Sequence, residues 1–204
     1  MGKRYDAVIF DLLTALIDSW TLWNDVAGSD EDGMRWRQAY LRLTYGAGVY
    51  RPYETIVAEA AMAAGIGPDT PDALTRRWAE LQPWPEAVSV VEALAGRAKL
   101  GVVTNCSIVM GRAAAARVSP AFDVVMTAEE AGFYKPRAEP YAATLAVMDM
   151  DPARVLFVAG SAADVPGAMA LGMPVYWHNR ISVKAEAEPL YHERSLDRLL
   201  EIVQ

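Results

Sequence analysis

The sequence predicts an α/β fold: a parallel sheet core with helices on both faces, and an inserted helical cap. Short apolar runs of strand length recur along the chain and alternate with longer helical patterns, which is typical of parallel sheets. Between the first and second runs, a long stretch shows helical patterns alone. The chain has 204 residues, of which 53% are hydrophobic and 22% charged, and this composition supports a sizeable core.

Five apolar runs, each rich in Val, Ile or aromatic residues, predict the strands. They lie at residues 7–10, 99–103, 122–126, 155–158 and 174–177. Because the segments between most of them carry helical patterns, we expect crossover connections that join parallel neighbours.

Apolar residues at helical spacing predict the helices of the core. The stripes are Val88, Val91 and Leu94; Tyr141, Thr144 and Val147; and Leu196, Leu199, Leu200 and Val203. Ser195 is the expected N-cap of the last helix. Two further helical stretches, 34–45 and 71–81, lie in the part of the chain without strand patterns.

Residues 16–86 hold no convincing strand, and they are too long for a simple crossover. We therefore interpret them as a helical cap domain inserted after the first strand, with 1–15 and 87–204 forming the core domain. Five of the six tryptophans lie in this segment, where a place in the cap's own core is the ordinary expectation. Trp20 is closest to the end of the first strand and is predicted to line a pocket.

Candidate site residues follow from the rule that ligands bind beyond the carboxyl ends of the strands in open α/β sheets. The residues that follow the strands are Asp11, Leu12, Leu13 and Thr14; Thr104 and Asn105; Lys135; and Ser161 and Asp164. Two carboxylates, one lysine and a polar Thr-Asn pair are therefore expected to converge on one edge of the sheet.

This order of motifs resembles the haloacid dehalogenase superfamily, whose core is Rossmann-like. Within it, the chain is most similar to the L-2-haloacid dehalogenases. Their cap helix carries a Trp-Arg-Gln stretch that ends in Thr-Tyr, which residues 36–45 match. Their Lys-Pro is followed by a tyrosine six residues after the lysine, as Lys135 and Tyr141 are here, and the run 172–180 also resembles theirs.

The residue types predict the chemistry of the site. A carboxylate at a strand end can form an ester with a substrate, so Asp11 is the candidate nucleophile. Lys135 is expected to lie near Asp11 and to keep it ionised, because an opposite charge favours the charged form. Asp164 is expected to orient Lys135 and to help activate water. The alternatives are a turn-capping aspartate, a solvated loop lysine and a helix-terminal acid.

The remaining candidates are expected to bind substrate. Thr104 and Asn105 precede a helix whose backbone N–H groups would seat a substrate carboxylate. Arg37 resembles the family's arginine at the leaving group, and the alternative is a solvated basic helix face shared with Arg35 and Arg42. The other predicted substrate-binding residues are Leu12, Leu13, Thr14, Trp20, Tyr141 and Ser161.

Two departures argue against a phosphatase, the commonest activity of the superfamily. The second acid of its Asp-x-Asp pair is Leu13 here, which cannot donate a proton, and the carboxylate that holds Mg²⁺ is Gly160. We therefore predict that the protein is independent of metal. The resemblance to the L-2-haloacid dehalogenases implies a hydrolase without a cofactor, which attacks C2 of a small 2-substituted carboxylic acid and inverts that carbon.

Further departures keep two alternatives open. The family's aromatic residue and Thr in the first motif are Leu13 and Ala15 here, and its aromatic before the last aspartate is Ala163. These changes fall near the leaving group, so ring opening of azetidine-2-carboxylate, with an amine as leaving group, is one alternative. A non-catalytic binding protein on the same fold is the other.

Charge and cysteine content narrow the expected partners. The net charge of −7 argues against a nucleic-acid partner. Cys106 is the only cysteine, which excludes an internal disulfide and fits a cytoplasmic location. No apolar run approaches the roughly 18 residues of a membrane span, so no membrane association is expected. The resemblance implies a homodimer.

Overall fold

The structure is a computed structural model and describes residues 4–204. The strands are β1 (Ala7–Asp11), β2 (Ile17–Asp18), β3 (Gln82–Pro83), β4 (Lys99–Thr104), β5 (Val124–Thr127), β6 (Val155–Ala159), β7 (Val175–His178) and β8 (Tyr191–Glu193). The α-helices are α1 (Ser19–Ala27), α2 (Asp30–Gly46), α3 (Tyr53–Ala63), α4 (Thr70–Arg76), α5 (Ala87–Leu94), α6 (Ile108–Val118), α7 (Ala128–Ala131), α8 (Ala138–Met148), α9 (Asp164–Met169) and α10 (Leu199–Ile202). Two 3₁₀ turns lie at Trp78–Glu80 and Pro152–Arg154.

Six strands form one sheet in the order β5-β4-β1-β6-β7-β8, and every neighbouring pair in it is parallel. This confirms the predicted fold class. Strand β1 is central, and its side chains alternate between the two faces as the strand period requires. Val8 and Phe10 join one hydrophobic cluster, while Ala7 and Ile9 join the other. Asp11 is the last residue of this fully buried strand, so it projects at the sheet's carboxyl edge.

Helices cover both faces of the sheet, as predicted. Helices α5, α6 and α10 contribute Val91, Ala114 and Leu199 to the cluster of Val8 and Phe10. Helices α8 and α9 contribute Leu145 and Val165, among others, to the cluster on the opposite face. Within the described residues, no helix is long and apolar enough to cross a membrane.

The chain between β1 and α5 contains four α-helices, one 3₁₀ turn and one short antiparallel strand pair. Strands β2 and β3 pair Ile17 with Pro83 and Asp18 with Gln82, which ties the start of this segment to its end. The expectation of no strand here is wrong, because two-residue strands leave no alternating pattern to recognise. The assignment of residues 16–86 to a cap domain stays a prediction.

Local capping fixes the two helices of this segment that matter most for the site. Asp18 caps α1 by accepting from the Thr21 N–H, and Gly28 ends it in a left-handed conformation with φ of 91°. Ser29 then caps α2 by accepting from the Asp32 N–H. The acidic first turn of α2 suits the positive end of the helix dipole, so the helix starts here and runs for 17 residues.

Several predicted boundaries need correction. The α-helix predicted over 71–81 ends at Arg76, and the 3₁₀ turn at Trp78–Glu80 follows it. The last helix is a single turn, and Ser195 is not its N-cap, because its hydroxyl accepts from the Asp197 N–H before the helix begins. Val147 is 63% exposed, since a residue six positions after Tyr141 has rotated off the buried face of α8.

Strand β8 was not predicted. It is a three-residue strand at the edge of the sheet, and within residues 4–204 it pairs with β7 alone. Its central residue, His192, is exposed, so it lacks the apolar run that marks the buried strands.

Candidate active site

Three of the predicted residues meet at the carboxyl edge of the sheet. Lys135 Nζ lies 2.7 Å from Asp11 Oδ1 and 3.1 Å from Asp164 Oδ2, so one ammonium bridges two carboxylates. The side chains of Lys135, Asp11 and Asp164 are only 3%, 10% and 5% exposed. Asp11 ends β1, Lys135 precedes α8, and Asp164 begins α9. The predicted convergence of these residues is therefore present in the structure.

The electrostatics of this group separate the two carboxylates. Burial raises the pKa of Asp11, but the Lys135 ammonium and the hydrogen bonds to Asp11 outweigh it, and its pKa lies below the ordinary value. Burial and the neighbouring Asp11 charge raise the pKa of Asp164 above its ordinary value despite Lys135. Burial lowers the pKa of Lys135, yet its two carboxylate partners raise it on balance. Asp11 is thus held ionised, whereas Asp164 is the weaker acid.

Thr14 holds the second oxygen of Asp11. Its hydroxyl donates to Asp11 Oδ2 over 2.6 Å, and the N–H groups of Thr14 and Ala15 donate to the same oxygen over 3.2 Å each. Both Asp11 oxygens are therefore fixed before any substrate arrives. Thr14 lines the cavity, and its hydroxyl bonds the candidate nucleophile. Its predicted role in binding substrate stays a prediction.

Gly160 makes room for this arrangement. A Cβ atom at residue 160 would lie 2.2 Å from Thr14 Oγ1 and 2.3 Å from the Ala15 nitrogen, closer than real Cβ contacts occur. The loop after β1 therefore packs against the bare backbone of Gly160. No side chain, and so no carboxylate, fits at this position without moving the loop that binds Asp11.

Asn105 lines the cavity, but both ends of its side chain are already bonded. Its Oδ1 accepts from the Lys135 N–H over 2.7 Å, and its Nδ2 donates to the Lys135 carbonyl over 2.9 Å. The Ile108 N–H at the start of α6 donates to Glu129, so this amide is not free for a substrate carboxylate. Thr104 lines the cavity as predicted. Hydrogen bonds within the protein therefore already use some of the groups that were predicted to bind the substrate carboxylate at this helix.

Two predicted substrate-binding residues do not line the cavity. Leu12 is fully buried in the core cluster, because the chain turns after Asp11 and directs this side chain inward. Tyr141 is also buried, and its hydroxyl donates to Asp164 Oδ1 over 2.6 Å. Tyr141 therefore acts on the site through Asp164, while Ser161 lines the cavity and accepts from the Asp164 N–H.

The loops at the carboxyl edge of the sheet and the helices α1 and α2 surround a cavity of about 350 Å³. We call the polar residues from the sheet loops, Asp11, Thr14, Lys135 and Asp164, the floor. We call the residues from α1 and α2 the wall; they are Trp20, Met34, Arg37, Gln38, Tyr40, Leu41 and Tyr45. Lining residues outside the floor and wall are Leu13, Thr104, Asn105, Gly160, Ser161, Ala162, Ala163, Ile181, Val183, Lys184 and Glu186.

Arg37 is the buried cation of the wall. It is 8% exposed, and its guanidinium carbon lies 3.9 Å from the centre of the Trp20 ring. Within residues 4–204, its Nη1 finds no hydrogen-bond partner, and burial lowers the pKa of the guanidinium. A buried charge with an unused donor, beside an aromatic face, is suited to an anion in the cavity.

Sequence reasoning missed several lining residues. Met34, Gln38, Leu41 and Tyr45 share one face of α2 with Arg37 at spacings of three and four, and this helical spacing could have identified them. The lining residues after β7 carry no motif, and their segment reaches the cavity only through the tertiary fold.

The described residues include one reactive side chain that the site does not use. Cys106 is buried and free, and burial raises the pKa of its thiol to about 12, so it stays protonated. In the stretch from Arg4 to the end of the chain, no three His, Cys, Asp or Glu side chains gather as a metal site would require.

Comparison with known proteins gives the site a context. A family model for haloacid dehalogenase-like hydrolases matches residues 5–172. The chain is 28% identical to (S)-2-haloacid dehalogenase 1 of Pseudomonas sp. (strain CBS-3), in an alignment that covers 97% of this chain and 95% of that protein. It is also 32% identical to the pyrimidine 5'-nucleotidase YjjG of Escherichia coli, over only 48% of this chain.

The fold has close counterparts among solved structures. The L-2-haloacid dehalogenase of Xanthobacter autotrophicus superposes with a TM-score of 0.88. The superposition covers 98% of both chains at 23% sequence identity. The whole described architecture, helical segment included, is thus shared with that protein.

Proposed function

Because this chain belongs to the haloacid dehalogenase-like hydrolase family, we propose that it is an L-2-haloacid dehalogenase-like enzyme that hydrolyses small 2-substituted carboxylic acids without a metal. The observation that carries the proposal is the bridged group Asp11–Lys135–Asp164, which shares one cavity with Arg37. Among residues 4–204, Nη1 of this buried guanidinium has no hydrogen-bond partner. The similarity to the Pseudomonas dehalogenase over nearly the whole chain supports the same function.

The first step is attack by a carboxylate oxygen of Asp11 on C2 of the substrate. A new C2–O bond forms while the C2–halogen bond breaks, and the halide leaves with the bonding electron pair. The attack comes from the side opposite the halide, so the configuration at C2 inverts. Lys135 keeps Asp11 ionised for this step, and Arg37 stabilises the departing anion.

The second step is hydrolysis of the Asp11 ester. Water attacks the carboxyl carbon of Asp11 while Asp164 accepts a proton from it, which suits the raised pKa of Asp164. The Lys135 ammonium and the N–H groups of Thr14 and Ala15 already contact the Asp11 oxygens, so they can stabilise the oxyanion. The bond between the Asp11 carboxyl carbon and the substrate oxygen then breaks, and Asp164 gives its proton to that oxygen. The 2-hydroxy acid leaves, and Asp11 is restored as a carboxylate when its remaining proton passes to solvent.

The floor does not suit a bound Mg²⁺. This ion needs oxygen ligands in near-octahedral arrangement, but Gly160 stands where the resemblance leads us to expect the carboxylate ligand. Leu13 stands where a phosphatase of the superfamily carries its proton donor. The Lys135 ammonium also lies 2.7 Å from Asp11 Oδ1, where its charge would repel a cation. These observations support a reaction that is independent of metal and distinct from phosphoryl transfer.

A second candidate reaction is favoured by one observation. An amine leaving group has to be protonated, and Tyr45 lines the cavity with a phenol whose pKa burial raises, so it stays protonated and can donate. Arg37 opposes this candidate, because its positive charge disfavours an ammonium product nearby. Ring opening of azetidine-2-carboxylate is therefore the second assay substrate.

The decisive experiment measures chloride release from L-2-chloropropionate in EDTA. We expect turnover by the wild type, retention of turnover in Asp72→Asn, and a loss of more than ~10³-fold in Asp11→Asn. Asp72 is an exposed carboxylate on α4 and serves as the matched control. A single turnover in H₂¹⁸O should place the label in the Asp11 carboxyl group, because water attacks the ester at that carbon.

Other outcomes reassign the protein. Turnover that requires added Mg²⁺, or full turnover in Asp11→Asn, would contradict the proposal. Ring opening of azetidine-2-carboxylate without chloride release would replace the halide with an amine as the leaving group. If a folded wild type performs neither reaction, the non-catalytic alternative takes its place.

A further inference from the structure

The cavity is larger than the smallest substrates of the proposed reaction require. Its volume of about 350 Å³ falls in the range of roughly 300–1,000 Å³ that holds drug-sized ligands. An acid with six heavy atoms, such as L-2-chloropropionate, occupies on the order of 100 Å³, about three water volumes. Most of the cavity is therefore left over once the reacting atoms are seated on the floor.

The left-over space is bounded by apolar side chains that remain partly exposed. Met34 on α2 and Ile181 and Val183 after β7 are 37%, 39% and 38% exposed, and all three line the cavity. We call these three residues the rim. A contiguous group of exposed apolar side chains around a cavity marks a ligand or partner site. By contrast, the floor residues Asp11 and Lys135 are 7% and 2% exposed.

The charged residues of the cavity also differ between its buried floor and its exposed outer part. The buried charged groups of the cavity are Asp11, Lys135, Asp164 and Arg37. The charged residues of the outer part, Lys184 and Glu186, are exposed and of opposite sign. The outer part therefore offers no uncompensated charge for a second ionic group, and an apolar chain is what its surface complements.

We propose that the substrate of this site carries on C2 an unbranched apolar chain of roughly four to eight carbons, which runs from the floor to the rim. The inference rests on the proposed function and adds the substrate class to it. Leu13 and Ala163 stand where the resembling enzymes carry aromatic side chains, so these smaller residues enlarge the same space. The rim then selects chain length, while the floor carries out the reaction.

The test is a series of substrates that differ only in chain length. Chloride release is measured with L-2-chloropropionate, L-2-chlorohexanoate and L-2-chlorooctanoate. We expect kcat/KM to rise about threefold to fourfold for each added methylene, since burying a CH₂ group contributes about 0.8 kcal/mol. The rise should stop once the chain reaches the rim.

Rim variants locate the effect in the structure. In the double variant Ile181→Ser/Val183→Ser, the kcat/KM ratio of 2-chlorooctanoate to 2-chloropropionate should fall about tenfold. Met34→Ser tests the same ratio from a different element, should the double variant fold poorly. Val109→Ser is the matched control, because Val109 is 76% exposed on α6 and lies outside the cavity; it should leave the ratio unchanged.

The outcomes distinguish this inference from the proposed function. A flat or falling series in an enzyme that is active on L-2-chloropropionate overturns the inference and leaves the proposed function standing. Release of chloride from no member of the series overturns the proposed function instead. In that case, the affinities of butanoate, hexanoate and octanoate, measured by calorimetry, decide the inference: affinity that rises with length and falls in the rim variant supports it, and constant affinity contradicts it.

Discussion

The floor and the wall of the cavity hold their buried charges in opposite ways. On the floor, Lys135 is shared by Asp11 and Asp164, and both oxygens of Asp11 are hydrogen-bonded. On the wall, Arg37 is equally buried, but its Nη1 has no partner in the described part of the chain. The charged groups of the floor are thus paired without a ligand, whereas Arg37 on the wall has a hydrogen-bond donor that a ligand can accept from. The comparison separates groups that must be preorganised for chemistry from groups that bind.

The sharpest test of a complete floor removes its cation. Lys135→Met leaves two buried carboxylates facing each other, so we expect the free energy of unfolding to fall by about 3–5 kcal/mol, as for other broken buried ion pairs. Chloride release should fall at least ~10²-fold, because both steps lose the ammonium. Urea unfolding followed by circular dichroism measures the first effect, and the chloride assay measures the second.

A compensating variant shows whether charge is the cause. Adding Asp164→Asn to Lys135→Met removes one of the two facing carboxylates, so part of the stability should return while activity does not. If Lys135→Met unfolds at the wild-type urea concentration, the floor is not held by this ion pair, and the contrast with the wall is lost.

The next effect tests how tightly the floor is packed. Gly160→Ala would place a Cβ against Thr14 Oγ1 and the Ala15 nitrogen, so the loop that binds Asp11 has to move. We expect a loss of stability on the order of 1–3 kcal/mol from overpacking and a loss of activity on the order of 10²-fold from misplacing the nucleophile. Thermal unfolding and the chloride assay measure these two losses.

Gly96→Ala is the matched control for this prediction. A Cβ at residue 96 meets no heavy atom within 4 Å, so stability should change by less than about 0.5 kcal/mol and activity should be kept. Equal behaviour of the two alanine variants would mean that the loop after β1 adapts freely, contrary to a preorganised floor.

The wall should respond in the opposite direction. Arg37→Leu removes a buried charge without breaking an ion pair, so the free energy of unfolding should stay within about 1 kcal/mol of the wild type or rise. The loss of the stacking on Trp20 limits any gain. Activity should still fall about 10²-fold, because the anion loses its charged donor. The same two assays apply.

Arg35→Leu separates this effect from a general loss of positive charge on α2. The Arg35 guanidinium donates outside the cavity, to the Ala64 carbonyl and to Asp32, so chloride release should be unaffected. A large loss of stability in Arg37→Leu would show that the guanidinium is compensated within the protein, and the wall would then resemble the floor.

The sequence sufficed for the floor because its residues follow buried strands. The apolar runs locate β1, β4 and β6, and the rule for ligand sites in open sheets then selects Asp11 and Asp164 without knowledge of their distance. The same rule puts Lys135 among the candidates, because it follows the third predicted strand and its loop. What the sequence could not provide is the direction of each side chain, and so Leu12 and Tyr141 were assigned to substrate although they point elsewhere.

Prediction was weaker where long-range packing decides. The two-residue strands β2 and β3 exist only because residues 64 and 66 positions apart meet, and no local pattern encodes this. The packing of Thr14 against Gly160 also depends on residues that are distant in sequence, because the absence of a side chain at Gly160 makes room for Thr14. Asn105 is predicted to bind substrate, but its side chain forms two hydrogen bonds with the Lys135 backbone. This contact joins two loops that are distant in sequence.

The smallest expected effect concerns the pH dependence of the floor. Tyr141 donates to the Asp164 carboxylate and so favours its charged form. Tyr141→Phe removes this bond and raises the pKa of Asp164 further above its ordinary value. Because the carboxylate is the form that accepts a proton from water, the acid limb of kcat should move to higher pH, by about one unit for a hydrogen bond to a charged group. Chloride release from about pH 3 to pH 8 measures the acid limbs of both kcat and kcat/KM.

Two comparisons make this last prediction specific to Asp164. The acid limb of kcat/KM, which reports ionisation of Asp11 in the free enzyme, should stay where it is, since Lys135 holds the pKa of Asp11 low in both proteins. Tyr134→Phe removes an equally buried phenol, one that donates to the Arg51 carbonyl, and should shift neither limb. A shift of both limbs in Tyr141→Phe would mean that the two carboxylates titrate as one unit, and the separate roles assigned to Asp11 and Asp164 would then be wrong.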